Sequence, residues 1–291
     1  MISARSAASA AADERIHPPY KIATLVQAAA AEGLGAGALL AGTGLTSAAL
    51  ADAEVRTSSR QFALACANAI ALGASPELPF RMGMQVRVSH YGLYGYALLT
   101  CRTVREGLGF AQRFHRLAAP TFTLRLDEAD GVACWTFGDL LGLVPGTALH
   151  AFLVAFQLAA QVSMARDLWH EHMVPHEVLL RHAAPPHAAL YAQYLGCPAR
   201  FGQPFDGARF DARLLDAPLP LHNPITQAMV GGMCERLLQQ AGAQVGLARR
   251  VMQLVAGRPG RFPGMDEVAA ELHMTERTLR RRLADEGTRD R

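Results

Sequence analysis

The most specific chemistry in the sequence belongs to five polar side chains near its carboxyl end: Thr275, Arg277, Thr278, Arg280 and Arg281. A guanidinium group forms paired hydrogen bonds with the edge of guanine, and it also binds phosphate oxygens. Arg277 and Arg281 are four residues apart, so a helix would place both on one face, where they are predicted to contact bases. Thr275, Thr278 and Arg280 are predicted to contact the DNA backbone and to set the register.

Two short helices joined by a tight turn are predicted to position these side chains. Apolar residues recur at helical spacing through both helices: Val268, Ala269, Leu272, Leu279 and Leu283. Thr275 is expected to cap the second helix, 276–286, and Gly287 is expected to end it. The arginines then face away from the apolar stripe, as a helix that enters the DNA major groove requires.

The excess positive charge of the chain is concentrated around these helices. The chain has 28 basic and 25 acidic residues; residues 244–291 contain ten arginines and seven acidic residues, which leaves 18 of each for residues 1–243. A solvated face of arginines would account for the charge alone. Its restriction to one motif favours a nucleic-acid surface.

Metal and disulfide chemistry have no comparable signature. The five cysteines are scattered and lack paired spacing, which argues against a disulfide framework or a zinc site and favours a reducing cytoplasm. One group of histidines could suggest a metal site: His170, His172, His176, His182 and His187. Pro175 interrupts the helical spacing among them, and surface or strand-edge histidines explain the group equally well. No metal site is predicted.

No motif of an enzyme or a nucleotide-binding loop is present, so we predict no catalytic residues and no cofactor. Lys21 is the single lysine, and it follows an Ala- and Ser-rich segment, 1–19, that is expected to be a disordered tail. That position argues against lysine-based covalent catalysis. The apolar run 148–165 is interrupted by polar residues and is expected to be a buried helix rather than a membrane span.

Residues 20–224 predict an α+β fold, with a helical N-terminal part and a small antiparallel sheet with flanking helices. Helices are expected from Tyr20 to Glu32 and from Ser58 or Ser59 to Leu72, whereas 81–101 is expected to form short extended pieces around Gly-rich turns. Thr103 is expected to cap a helix that runs to Ala119.

The second half of this region predicts the strands. A hairpin is expected to turn at Ala129-Asp130-Gly131, and a long helix to Trp169 follows. A strand over 176–182, a helix over 187–195, two short strands and a final helix from Asn223 complete the expected order.

Polar residues of the Gly- and Tyr-rich segment are the candidates for ligand contacts: Arg81, His90, Tyr91, Tyr94 and Tyr96. A ligand site usually combines an apolar pocket with a few such groups. Tyrosines that pack a sheet and point their hydroxyls outward would give the same pattern, so no ligand-binding residue is assigned.

Two parts of the chain resemble a known family. The stretch MDEVAAELHMTERTLRRRLADEGT, with VGLARRVMQLVAGRPGRFPG before it, is similar to the first helix-turn-helix of AraC/XylS-type transcriptional regulators. LLAGTGLTSAALAD, YGLYGYALLTCRTVREGLGFAQRFHRLAAP and YLGCPARFGQPFDGARFDARLLDAPLPLHNP resemble the arabinose-binding-like regulatory domain that precedes it, from about Tyr20 to Pro224.

The resemblance implies a cytoplasmic bacterial regulator without enzymatic activity, in which a small-molecule effector bound by residues 20–224 alters DNA binding by residues 244–291. Residues 225–243 would form a linker or dimer helix. Double-stranded DNA, an effector, a second copy of the chain and RNA polymerase are the implied partners, and no membrane is implied.

The DNA-binding domains of this family have two helix-turn-helix units, whereas this chain reaches Arg291 after the first. We therefore expect the chain to bind DNA weakly or not at all, and the complete protein to bind it specifically. The alternative is a ligand-sensing or dimerisation module without DNA binding of its own.

Overall fold

The computed structural model describes residues 12–118, 120–169, 174–243, 251, 254, 263–272 and 274–285. Its α-helices are α1 (Tyr20–Ala30), α2 (Ala36–Leu39), α3 (Ser59–Ala71), α4 (Leu78–Gln85), α5 (Gly92–Thr100), α6 (Val104–Phe114), α7 (Ala148–Trp169), α8 (Ala189–Leu195), α9 (Pro224–Ala243), α10 (Met265–Glu271) and α11 (Glu276–Asp285). Its strands are β1 (Phe122–Ala129), β2 (Val132–Asp139), β3 (Glu177–Leu179), β4 (Ala199–Arg200) and β5 (Asp206–Asp211). The predicted α+β class is confirmed.

The strands form one sheet in the order β1-β2-β5-β3-β4. All pairings are antiparallel except that of β3 with β4, so the expected antiparallel sheet is mixed at one edge. The predicted hairpin is confirmed: Asp130 and Gly131 have φ of 52° and 74°, which a tight turn with the twist of the strands requires. Trp135 is paired with Leu126 on one side and Ala208 on the other, and these residues share the inner face of the sheet.

Helix α7 lies in the larger hydrophobic core of the protein, which includes buried residues from Ala12 to Cys234. It is long and apolar enough to cross a bilayer by length and composition, and 67% of its most apolar window is buried within the fold. Helix α4 approaches it unusually closely at Gly83, where an added Cβ would lie 2.5 Å from the Cβ of Ala159 and 2.7 Å from the carbonyl oxygen of Phe156. Only a residue without a side chain allows this contact.

Two helix starts form as the sequence predicts. The Ser58 hydroxyl accepts a hydrogen bond from the backbone N–H of Gln61 at 3.1 Å, and the Gln61 side chain accepts from the N–H of Ser58 at 2.9 Å. Thr103 caps α6 by accepting from the N–H of Glu106 at 3.3 Å. The carboxylate of Glu106 accepts a hydrogen bond from the N–H of Arg102. In a standard capping box it would accept from the N–H of the cap residue, Thr103, so the bond here reaches one residue further towards the N-terminus.

The expectation of extended pieces over 81–101 is wrong. Helices α4 and α5 cover most of this segment, joined by a short 3-10 turn at Val88–Tyr91. The glycines and tyrosines suggested turns and strands, but the segment is packed against α7 and α9, and burial of side chains such as Met82 and Leu98 outweighs local propensity.

The expected disordered tail is also corrected for residues 12–19. His17 forms a two-hydrogen-bond bridge with Thr57, with N···O distances of 3.1 and 2.7 Å, and its side chain is buried. Glu14 forms an ion pair with Arg116. Residues 1–11 lie outside the described residues. A segment that completes hydrogen bonds and an ion pair is held to the fold despite its composition.

Candidate functional site

Helices α10 and α11 form the predicted helix-turn-helix with its own small core. Four buried residues, Val268, Ala269, Leu272 and Leu279, are surrounded by the partly buried Val251, Leu254, Met265, Met274 and Leu283. The N–H of Met274 donates to the carbonyl of Ala269 at 3.0 Å and closes the first helix. The tight turn and the shared core hold α11 in a fixed orientation against α10.

The predicted cap of α11 is present. The N–H of Thr278 donates to the Thr275 hydroxyl at 3.3 Å, and the two threonine hydroxyls lie 2.9 Å apart. The helix is described as far as Asp285, so the predicted range 276–286 is matched to within one residue, whereas the predicted C-cap Gly287 and the turn residue His273 lie outside the described residues.

The basic side chains of α11 are exposed on the side opposite its core. With about 100° between successive helical residues, Arg277 and Arg281 lie on the side opposite Leu279 and Leu283. Both arginines are exposed, and neither forms an ion pair with another residue in the described part of the chain. Arg280 forms an i,i+4 ion pair with Glu276, with an N···O distance of 2.7 Å. An exposed helical face with two unpaired guanidinium groups suits an anionic polymer.

A second candidate site is a cavity of about 140 Å³ between the sheet and the helices. Strands β1, β2, β3 and β5 form one wall, and helices α5, α6 and α7 form the others. Most of the lining is apolar: Leu98, Leu108, Ala111, Leu124, Trp135, Leu158, Val162, Met164, Leu168, Val178, Ala208 and Phe210. A predominantly apolar cavity with a few polar groups is the usual form of a small-molecule site.

The polar lining of this cavity comes from six residues: Lys21, Tyr91, Tyr94, His115, Gln157 and Gln161. Lys21 was expected at the edge of a disordered tail, but it is on α1 and only 5% exposed. Its Nζ lies 5.8 Å from the ring centroids of both Phe62 and Phe156. Burial lowers the pKa of Lys21 to about 7.

Burial also governs the ionisation of the neighbouring groups. It lowers the pKa of His115 to about 3, an effect to which the charge of Lys21 adds, so this imidazole is neutral at pH 7. Burial raises the pKa of Tyr91 to about 12, and it raises that of Tyr94 as well, so both phenols keep their protons. At neutral pH the cavity wall therefore offers neutral hydrogen-bonding groups beside one lysine.

The candidate ligand residues of the sequence separate into two groups. Tyr91 and Tyr94 line the cavity, whereas Arg81 forms an ion pair with Glu32 and is not among the lining residues. His90 and Tyr96 are exposed. Lys21, Gln157 and Gln161 were not among the candidates. The signal for Lys21 was its spacing, since it lies four residues before the buried Leu25 on a helix that is otherwise apolar on that side.

Of the histidines considered for a metal, His182 has another role. His182 is buried, with its Nε2 3.0 Å from the hydroxyl of Tyr191 and its Nδ1 2.9 Å from a carbonyl oxygen. His170 and His172 lie outside the described residues. Among the described residues no three His, Cys, Asp or Glu side chains are grouped so that they could hold a metal ion.

Comparisons with known proteins agree with the description of both the sheet-and-helix region and the helix-turn-helix. Residues 33–219 match the family described as the arabinose-binding domain of AraC transcription regulators. The chain is similar to the ornithine utilization regulator of Pseudomonas aeruginosa, with 33% identity over 223 residues, which cover 76% of this chain and 64% of that protein. It thus spans somewhat less than two thirds of that protein.

Other similar proteins cover more of the chain. An HTH-type transcriptional regulator of Mycobacterium tuberculosis is 28% identical over 288 residues, or 94% of this chain and 80% of the relative. The crystal structure of the transcriptional regulator CdpR from Pseudomonas aeruginosa has the same fold, with a TM-score of 0.57 and 21% identity, over 93% of this chain and 80% of that one.

Proposed function

This chain belongs to the AraC transcription regulators, and from that premise we propose that it is a cytoplasmic DNA-binding regulator controlled by a small molecule. The effector occupies the cavity between the sheet and α5, α6 and α7. Helix α11 enters the DNA major groove. Residues 20–224 are the sensing domain and residues 244–291 belong to the DNA-binding domain. The single observation that carries the proposal is the exposed face of α11, with Arg277 and Arg281 pointing away from a packed core.

In this proposal each polar residue of α11 has a distinct role. Arg277 and Arg281 contact base edges, because they project furthest from the core and guanidinium groups form paired hydrogen bonds with guanine. Arg280, Thr275 and Thr278 contact phosphates and set the register. Arg280 must exchange its ion pair with Glu276 for a phosphate, which costs little because the pair is exposed.

The proposal can be tested by selecting binding sites from a pool of random DNA duplexes with the full chain at about 50 mM salt. The wild-type chain should enrich a short motif. Replacing Arg277 and Arg281 together by alanine should abolish the enrichment, since each base contact contributes about 1–3 kcal/mol.

Arg282→Ala is the matched control, because it removes the same charge from the same helix on the side nearer Leu283. It should select the same motif as wild type. Enrichment of an unchanged motif by the double variant would contradict the role assigned to α11. No enrichment by the wild-type chain would favour the alternative, a ligand-sensing or dimerisation module without DNA binding of its own.

We also propose that two copies associate through α9. Its inner side is held to the sensing domain by the buried Val230 and Cys234, whereas Ile225 and Met229, one turn apart, are 81% and 56% exposed. Exposed apolar side chains in such an arrangement favour burial against a partner. A regulator of this kind would contact RNA polymerase from the DNA-bound dimer.

Analytical ultracentrifugation of the full chain tests the association. Ile225→Asp with Met229→Asp should shift a dimer to monomer, while Gln239→Asp, at an exposed position of the same helix, should not. Sedimentation of the double variant as a dimer would exclude this face as the interface.

The name of the Pseudomonas relative refers to ornithine utilization, and we do not transfer that ligand to this chain. Ornithine carries two ammonium groups. The described residues that line the cavity include a lysine and no carboxylate. The ammonium groups of a bound ornithine would therefore lie near the ammonium group of Lys21, and like charges disfavour each other.

A further inference from the structure

The cavity between the sheet and the helices joins an apolar wall to one buried lysine. Lys21 lines the cavity, and its ammonium group lies where α1, α3 and α7 meet, beside the rings of Phe62 and Phe156. It is the only lysine among the 28 basic residues of the chain. A long cationic side chain is placed in an interior where most proteins place an aliphatic one.

We propose that the effector is a monocarboxylate with an apolar body, whose carboxylate pairs with Lys21 and whose body occupies the space between α6, α7 and the sheet. The inference rests on the proposed function, because it names the chemical class of the effector that this function requires.

The electrostatics of the lining favour an anion. Among the described lining residues, Lys21 is the one that can be positively charged near neutral pH. No aspartate or glutamate is among those residues. Burial disfavours the charged lysine, as its lowered pKa indicates, and an added carboxylate favours that form again. Ion pairing in such an interior is specific, because removal of one partner leaves the other charge buried.

The neutral polar groups can complete the recognition of a carboxylate. Tyr94 keeps its phenolic proton at neutral pH and can donate a hydrogen bond, and the amide groups of Gln157 and Gln161 can do the same. A carboxylate accepts several such bonds at once.

The rest of the lining selects the body of the ligand. Leu108, Trp135 and Leu158 are among the residues that face a cavity of about 140 Å³. An apolar cavity of about 150 Å³ in another protein accommodates benzene, so this one suits a single ring or a short chain. A sugar would leave many hydroxyl groups without partners against these side chains.

Titration calorimetry with the full chain tests the proposal, with 3-phenylpropionate and octanoate as probes. 3-Phenylpropionamide is the neutral match of the first, and L-ornithine supplies a cationic comparison. The acids should bind, and the amide and ornithine should bind at least about 30-fold more weakly.

Lys21→Met should weaken binding of the acids by at least about 30-fold, and circular dichroism should show that the variant is folded. Arg56→Met, which removes an exposed cation away from the cavity, should bind the acids as wild type does. Ala165→Phe, which fills the apolar part of the cavity, should abolish binding with Lys21 in place.

Equal affinity for acid and amide, unchanged binding by the Lys21 variant, or no binding of either acid would each overturn the proposal. None of these results affects the selection of DNA sites by α11, so the regulator function is judged separately.

Discussion

At the scale of single residues, burial of a polar side chain has a free-energy cost, which a buried partner can offset. Lys21 illustrates the cost, since burial lowers its pKa to about 7. The pair formed by His150 and Asp206 illustrates how such a cost is offset. The Nε2 atom of His150 lies 3.1 Å from Oδ2 of Asp206, and both side chains are almost fully buried.

Asp206 also accepts a hydrogen bond from the backbone N–H of Arg181 at 2.9 Å, so one carboxylate bonds both the buried imidazole and a backbone N–H. Asp206→Ala should lower the free energy of unfolding by about 3 kcal/mol, because it leaves both groups without that partner. Urea unfolding followed by circular dichroism measures the change. Asp206→Asn, which retains an acceptor for Arg181, should lose markedly less. Equal losses below about 1 kcal/mol for both variants would show that the pair contributes little.

At the scale of elements, the contact between α4 and α7 depends on a missing side chain. A Cβ at Gly83 would lie 2.8 Å from the backbone nitrogen of Ala160, in addition to its contacts with Phe156 and Ala159. All three neighbours belong to the core helix, which cannot move without disturbing the rest of the core.

Gly83→Ala should therefore lower the free energy of unfolding by about 1–3 kcal/mol, even though alanine favours helix. Gly109→Ala is the matched control, because it is in helix α6 and an added Cβ would meet nothing within 4 Å. It should be neutral or stabilising by up to about 1 kcal/mol. Thermal unfolding compares the two, and a similar melting temperature for both variants would argue that α4 is free to move away from α7.

Helix α11 shows how little tertiary context a short capped helix needs. Its cap, its buried stripe and its exposed arginines follow from residues within two helical turns. Helices α4 and α5 behave in the opposite way, since their composition suggests turns and strands and only their packing makes them helical.

At the scale of the whole molecule, buried neutral histidines make stability depend on pH. An imidazole has a pKa near 6.5 in the unfolded chain, whereas burial lowers the pKa of His17 to about 3, with the charge of Lys21 as a smaller cause. Between these values the unfolded state binds more protons than the folded state. Stability is therefore greatest above about pH 6.5 and falls as the pH falls towards 3.

Within this window we expect His17 to lower the free energy of unfolding by an amount that approaches about 1.4 kcal/mol for each unit by which the pH falls. His115, whose pKa is also lowered to about 3, adds to it. Measuring unfolding free energies between pH 6 and 5, above the range in which most carboxylates titrate, isolates the histidines. His17→Gln should reduce the slope. An unchanged slope in the His17 variant would contradict this account.

Local patterns predicted the features that local interactions create. The hairpin turn at Asp130-Gly131, the caps at Ser58, Thr103 and Thr275, and the apolar stripe of α11 each involve residues a few positions apart. The family resemblance and the α+β class followed from the order of such features. The DNA-contact roles of Arg277 and Arg281 stay predictions, although the structure places both side chains on one exposed face.

Only the tertiary structure decided which residues form the cavity. Its lining comes from four strands and several helices that are far apart in the sequence, and no local spacing relates Lys21 to Trp135 or Val178. The position of Lys21 next to the Ala- and Ser-rich segment 1–19 suggested that its side chain is exposed. In the folded protein this side chain is instead buried beside Phe62 of α3 and Phe156 of α7. Burial depends on what the rest of the chain places around a side chain, and for that reason a ligand site assembled from distant segments can be identified only in the folded protein.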